Sequence, residues 1–575
     1  MSLPPLPPAA QPAAAPEPEK IYRGWPLPAG LALCFVLGLV LAWLYPGFTT
    51  VVPEPRSTPT LIWHGTEIEG KPVIMQEDTL YFHVPTLQSL LDPNMHWDRE
   101  GGYLAITTKD RVIQLHTEQL TWYINQAPVD LRFPVLVLDG EPYLDLEPLR
   151  FLYQLDVSYV PGTDRVVVRD TKEPYLDGEI TGKKSYLRIQ PSIRAPRLTE
   201  LVLGDRVIIL QEEHNWFKVQ TIQGLIGYVP EKDLAVQAIA WVPAPPSLEQ
   251  PPWKPLGGKI SLVWEQVTHG SHNPKPEVLG PLTGVNVYSP TWFHLADAGG
   301  NINSYANLAL VEEAHRAGKQ VWALFSNSFD PEMTAAFLRN PEARSRAIKQ
   351  LVVLARLYHL DGINIDFENI PPENKDLLVQ FVRELAPILR EQGLIVSMDV
   401  TFKSDSGNWS LIYDRKALGE AVDYLAVMAY DEHWATSPVP GSVASLPWVE
   451  RGLRALLEEV PPQKILLGIP LYARIWTVAG NEAEPKVTSR AWSMRQTQKW
   501  LQENRLEPIL DPATGQHFAE LEQDGQRYLL WLEDEVSLQQ RIELVHKYGL
   551  AGIAAWQRGF AKEEIWPAIK EYLKN

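Results

Sequence analysis

Between residues 258 and 575, eight short apolar segments alternate with amphipathic stretches, and this alternation leaves few folds open to the chain. The segments are "KISLVWEQ", "GVNVYSPTW", "KQVWALFSN", "DGINIDFEN", "LIVSMDVTF", "DYLAVMAYDEHW", "KILLGIPLYARIW" and "AGIAAWQRG". Each has the length and the β-branched and aromatic content of a buried strand. Helix-patterned stretches such as "NKDLLVQFVRELAPILREQG" lie between several of them. Eight strand and helix units predict an α/β fold, a (β/α)8 TIM barrel. A doubly wound sheet, usually with fewer strands, is the second choice.

The remaining residues predict a multidomain chain, since 575 residues exceed one ordinary domain. A net charge of −18 argues against a nucleic-acid partner, which needs basic surface. A single cysteine, Cys34, excludes an internal disulfide framework and any Cys-based zinc site. Residues 1–24 are Pro/Ala-rich and are expected to be a disordered cytoplasmic tail. Residues 25–46 are an uncharged apolar run close to the ~20 residues of a spanning helix, so one N-terminal transmembrane anchor is expected. Lys20 and Arg23 precede it, which predicts a cytoplasmic amino end and an exported remainder. Trp25, Trp43 and Tyr45 suit the two interfaces. A cleaved signal peptide is the rival, but no clear small-x-small site follows; bulky Leu33 before Cys34 argues against lipidation.

After a linker at 47–60, residues 61–170 hold two rhyming halves, each strand, turn, strand, short helix and hairpin. This duplicated α+β pattern resembles the amino-terminal-type stalk module of copper amine oxidases. His83 and His96 lack a metal-ligand spacing, so no copper site is expected. Residues 177–236 are short strands broken by Gly and Pro, and "SYLRIQPS", "NWFKV" and "GLIGYVPEKDL" resemble a bacterial SH3-like domain, a small all-β barrel. The resemblance implies a grip on cell-wall peptide; Trp216 is either a core residue or part of that groove. A Pro-rich linker at 237–257 separates it from the barrel at 258–575.

Within "DGINIDFEN", Asn364, Asp366 and Glu368 occupy alternate positions and so share one strand face, while Ile363, Ile365 and Phe367 share the other. In a barrel the polar row faces inward and climbs toward the C-terminal end of the fourth strand, where barrel enzymes keep their active sites. Two carboxyls and an amide on one inward row are costly to bury and point to chemistry, although a satisfied polar core layer would give the same pattern.

"DGINIDFE" resembles the Asp-Gly-x-Asp-x-Asp-x-Glu signature of glycoside hydrolase family 18. "VMAYDEHW", "GIPLYARIW" and "GIAAW" are similar to that family's sixth-, seventh- and eighth-strand motifs, in the right order over roughly the last 300 residues. Asn364 departs from the pattern, because many chitinases have Asp there. With "AYDEHW" and "GSVASLPWVE" it looks more like the spore-germination and cortex-lytic branch. The resemblance implies substrate-assisted retention, with Glu368 as acid and then base, Asp366 accepting the acetamido N–H, Tyr430 donating to the acetamido carbonyl and Trp556 flooring the pocket. Asn364, Asp431, Tyr472 and Arg474 are further substrate-binding candidates. No metal or organic cofactor is expected. The expected partner is an N-acetylated glycan, peptidoglycan or chitin, cut at β-1,4 bonds. The exported anchor and wall-binding module favour peptidoglycan; a chitinase and a non-catalytic glycan-binding barrel stay open.

Overall fold

A computed structural model describes residues 27–51, 58–76, 78–117, 121–130, 134–145, 150, 152–241, 257–479 and 486–574. The expected tail at 1–24 and most of the two linkers, 52–57 and 242–256, lie outside the described residues. The chain packs as two compact units: Met1–Tyr81 with Leu146–Leu248, and Phe82–Asp145 with Glu249–Asn575.

In the second unit the eight expected strands are β1 (Ile260–Glu265), β2 (Val287–Pro290), β3 (Gln320–Ser326), β4 (Gly362–Asp366), β5 (Ile395–Thr401), β6 (Tyr424–Met428), β7 (Ile465–Pro470) and β8 (Gly552–Trp556). Every neighbouring pair is parallel, and β8 returns to β1 with Gly552 opposite Ile260, so the sheet closes into a TIM-like barrel. The closed form requires tight approaches at strand starts. A Cβ at Gly362 would lie 2.8 Å from the Trp322 ring and from the Ile395 carbonyl, so the neighbouring strands leave room there only for glycine.

The barrel interior is filled by side chains such as Trp264, Trp322, Leu324, Tyr424 and Ala554, with Trp322 stacked on Tyr424 at 5.7 Å. The opposite strand faces pack on the helices. Ile363, Ile365 and Phe367 of β4 and its end join that outer layer, and Phe367 stacks on Phe381 of the helix Lys375–Glu391 at 5.6 Å. Truncating such a buried Phe typically costs about 3–5 kcal/mol, so the outer face of β4 fixes the direction of its inner row. The helices begin where capping chemistry allows. Asn340 accepts from the backbone N–H groups of Glu342 and Ala343, Pro341 takes the first helical position, and Pro341–Leu357 follows.

An element not anticipated from the sequence lies between β7 and β8. Five antiparallel strands, Tyr472–Ala479, Lys486–Ser493, Ile509–Asp511, Gln516–Gln523 and Gln526–Trp531, form a sheet with the helix Met494–Asn504. Ala473, Ile475, Ala519 and Leu530 make its core. Tyr472 and Arg474 therefore sit on this inserted sheet, past the end of β7.

The segment expected as one stalk, 61–170, is divided between the units. His96–Asp98, Tyr103–Thr107, Val112–His116, Thr121–Ile124 and Ala127–Asp130 form an antiparallel meander in the barrel unit. Val112 packs into the barrel's outer apolar layer and Arg390 donates to the Lys109 carbonyl, which explains the association. In the other unit, Thr60–Trp63 pairs in parallel with Arg165–Asp170. That unit also contains the seven-stranded sheet built from Tyr175–Ile180 through Leu234–Ala240, whose core includes Leu187, Val207, Phe217 and Val229. Trp216 is half-buried and lines a cleft of about 900 Å³ with Tyr186, Arg188, Lys232 and Asp233.

The apolar run forms the helix Leu27–Leu44. Its 18 residues rise only about 27 Å, short of a hydrocarbon core of ~30 Å. Among the described residues no helix is long and apolar enough to cross a membrane, so the expected transmembrane anchor is not found there.

Candidate active site

The inner row of β4 ends at the C-terminal mouth of the barrel, and its three polar residues have different surroundings. Asn364 is fully buried, and both ends of its amide are engaged. Its Oδ1 accepts from the Trp264 indole at 2.8 Å and from Ser289 at 3.4 Å, and its Nδ2 donates to Ser397 Oγ at 3.1 Å and Asp399 Oδ1 at 2.8 Å. Expected among the substrate-binding residues, its side chain is thus engaged entirely within the protein. Its amide also holds Asp399 of β5.

Asp366 and Glu368 are half-buried and hydrogen-bonded to each other. Burial pushes the Asp366 carboxyl up to about 6. Glu368 is held well above the ordinary range by burial first, then by the charges of Asp366 and Asp399. Glu368 is therefore biased toward its protonated form, in which it donates to Asp366. Asp366 Oδ1 is buried and takes no hydrogen bond from a backbone, amide, hydroxyl or cationic donor.

The backbone at Glu368 is clamped from β3's end. Its N–H donates to Asn327 Oδ1 at 3.0 Å, and Asn327 Nδ2 donates back to the Glu368 carbonyl at 2.7 Å. Asn327 is fully buried and also donates to Thr334 Oγ1 at 2.9 Å. Tyr413 fixes the preceding residue by donating to the Phe367 carbonyl at 2.9 Å.

Tyr430 and Asp431 follow β6, and Trp556 ends β8. Tyr430 is kept protonated mainly by burial, and then by the charges of Asp399, Tyr472, Glu368 and Asp366 around it. Asp431 has a left-handed backbone, φ 60°, which turns its carboxylate toward the inserted sheet. There it accepts from Tyr472 Oη at 2.7 Å and Arg474 Nη2 at 2.9 Å. These three residues are brought together, but they are engaged with one another. Trp556 lies 6.0 Å, ring to ring, from Trp264, the residue that holds Asn364.

Several residues of the site were not singled out in the sequence. Asp399, Asn327 and Tyr413 lack a local motif; only the strand register makes them neighbours of β4. Glu265, at the end of β1, pairs with Arg558 just past Trp556 and accepts from Tyr288 Oη at 3.4 Å. Phe329 and Trp409 are exposed aromatics on the loops after β3 and β5, with rings 6.3 Å apart, and Trp434 is exposed after β6. Among the described residues no group of three or more His, Cys, Asp or Glu side chains could hold a metal ion.

A carboxyl biased toward its protonated form at a barrel mouth, hydrogen-bonded to a second carboxyl, is suited to acid catalysis. Comparisons with known proteins define it further. Residues 301–561 match the profile of glycosyl hydrolases family 18, and residues 184–235 match that of the bacterial SH3 domain. The chain is 28% identical to the uncharacterized glycosylase YvbX of Bacillus subtilis over 267 residues, covering 44% of this chain and 75% of that protein. It is 27% identical to the cortical fragment-lytic enzyme of Bacillus anthracis over 253 residues, 43% of this chain and 57% of that protein. The solved structure of a chitinase from Chromobacterium violaceum covers 55% of this chain and 100% of its own, at 25% identity and a TM-score of 0.50. The carboxy-terminal barrel thus matches glycosyl hydrolases family 18 over residues 301–561, and its similarity to glycosylases and to a chitinase supports a glycosidase.

Proposed function

We propose that the protein is an exported β-N-acetylglucosaminidase that cuts β-1,4 bonds of peptidoglycan, in cell wall or spore cortex, by a retaining, substrate-assisted mechanism. The observation that carries this reading is the buried Asp366–Glu368 pair at the barrel mouth, with Glu368 held well above the ordinary carboxylate range. In a two-carboxylate retaining enzyme the carboxyls stand ~5–5.5 Å apart across the sugar, and in an inverting one ~6.5–9.5 Å. Here they are in hydrogen-bond contact on one side. This contact supports a nucleophile supplied by the substrate rather than by Asp366.

A 2-acetamido group meets that need. Its carbonyl oxygen attacks the anomeric carbon while Glu368 gives its proton to the leaving oxygen, and an oxazolinium ion forms. Ionised Asp366 accepts the acetamido N–H and offsets the positive charge. Tyr430, kept neutral, donates to the acetamido carbonyl. Glu368, now anionic, takes a proton from the water that reopens the oxazolinium ring. Trp556 stacks beneath the reacting sugar, and Phe329, Trp409 and Trp434 offer further apolar faces to neighbouring sugars.

The mechanism requires the acetamido group, so de-N-acetylated glycan is expected to give less than about 1% of the rate on acetylated glycan, as internal positioning of a nucleophile contributes several orders of magnitude. Equal rates on the two glycans would refute it. Chitin carries the same group, and the similarity to a chitinase supports chitin as the second reading; product analysis on both glycans separates them.

The cleft lined by Trp216, Tyr186 and Arg188 suits a wall peptide, with an aromatic face and both signs of charge. Trp216→Ala is expected to weaken sedimentation with purified wall sacculi about tenfold, a loss of ~1.4 kcal/mol, with glycosidase activity on soluble glycan unchanged. Undiminished sedimentation would exclude the cleft. The uncharged helix Leu27–Leu44, with Leu33, Phe35, Leu37 and Leu39 exposed, is proposed as the tether that keeps the exported chain at the membrane. Recovery in the soluble fraction of cells would refute the tether.

A further inference from the structure

β4 carries an amide, Asn364, where the signature it resembles has a carboxyl, and β5 carries a carboxyl, Asp399, immediately beside that amide. The register pairs Asn364 with Ser397 and Ile365 with Met398, so one step further along Asp366 comes level with Asp399. Asn364 has one possible orientation, because its Oδ1 must face the Trp264 N–H and its Nδ2 must then donate to Asp399 Oδ1. Asp399 is fully buried, and no arginine or lysine among the described residues is an ion-pair partner of Asp366, Asp399 or Glu368.

We propose that Asp399 supplies from β5 the carboxyl that β4 lacks, and that Asp366, Asp399 and Glu368 share protons as one cluster whose geometry Asn364 fixes. The proposal rests on the reacting roles of Asp366 and Glu368 given above. When Glu368 passes its proton to the leaving oxygen, the cluster holds one proton fewer; the proton that stays is held by Asp399, which leaves Asp366 ionised beside a neutral neighbour. The proton taken from water at the second step restores the count. Burial, followed by the Asp366 charge, holds Asp399 well above the ordinary carboxylate range, in keeping with a proton resident there. The other groups facing the cluster are Tyr430 and Asp431 after β6 and Tyr413 after β5, with Arg415 beside Tyr413.

The test is the pH dependence of kcat and KM for the full-length chain on an aryl glycoside of di-N-acetylchitobiose. Removing one member of a coupled set lets the last proton leave at lower pH. Asp399→Asn is therefore expected to move the alkaline limb down by about one pH unit and to lower kcat above that limb about tenfold, with KM within about twofold. Asn364→Asp alone should move the limb up, and the double variant Asn364→Asp/Asp399→Asn should return it toward wild type. An Asp399 that only anchored Asn364 would leave the limb in place. An unmoved limb in both single variants, or a double variant no different from Asp399→Asn, overturns the proposal.

Should wild type turn over no acetamido sugar, the functional reading fails, and the pH dependence of unfolding decides this one by itself. A carboxyl whose folded pKa is raised contributes stability that is full below its unfolded value and is lost as pH rises through the folded value. Wild type should then lose stability more steeply than Asp399→Asn as pH rises from the ordinary carboxylate range; parallel curves overturn the cluster.

Discussion

Glu368→Gln is expected to lower kcat on a natural glycan by about 10²–10⁴, the usual contribution of a positioned general acid. The exchange is nearly isosteric, and the clamp by Asn327 acts on the Glu368 backbone, so the loop around it should keep its shape. Thermal stability and KM should change little, because the carboxyl's proton acts on the departing oxygen in the transition state. Leaving groups that need no proton provide an internal control. A dinitrophenyl glycoside should recover much of the bond-cleavage rate in Glu368→Gln, while the reopening by water stays slow, and a burst of dinitrophenol would accumulate. Full wild-type activity in Glu368→Gln would remove the acid assigned here.

Asp366→Asn is expected to lower kcat by about 10²–10³, comparable to the loss of a preorganised group facing transition-state charge. An asparagine oxygen can accept the acetamido N–H but carries no charge to offset the oxazolinium ion. The pH profile adds a separate readout. The reaction needs Asp366 ionised and Glu368 protonated, so activity should rise through about pH 6 as Asp366 loses its proton and fall at higher pH as Glu368 loses its own. In Asp366→Asn the acid limb should disappear. Loss of Asp366's charge also lowers the Glu368 pKa, so the alkaline limb should move down. An unchanged acid limb would assign it to another group.

The barrel was legible because its strands are buried on both faces and read as apolar runs, and because the period of two along β4 separates Asn364, Asp366 and Glu368 from Ile363, Ile365 and Phe367. The inserted sheet between β7 and β8 was not read, although "EQDGQR" contains the Asp-Gly turn of a hairpin, with both residues at positive φ. The partners of the catalytic row were illegible for a different reason. Asp399 and Asn327 reach β4 through parallel register and a βα loop, which no local spacing encodes. The Trp264 indole fixes the Asn364 amide oxygen and so turns its donor to Asp399. The apolar amino-terminal run was read from its length; the helix it forms, Leu27–Leu44, is shorter than the run.

Mass spectrometry of the products released from purified cortex and vegetative peptidoglycan by the full-length chain, with Glu368→Gln in parallel, tests the central claim most directly. Muropeptides ending in reducing N-acetylglucosamine, present with wild type and absent with Glu368→Gln, are the predicted result. Products ending in reducing N-acetylmuramic acid, or a wild-type digest indistinguishable from that of Glu368→Gln, would contradict the glucosaminidase assignment.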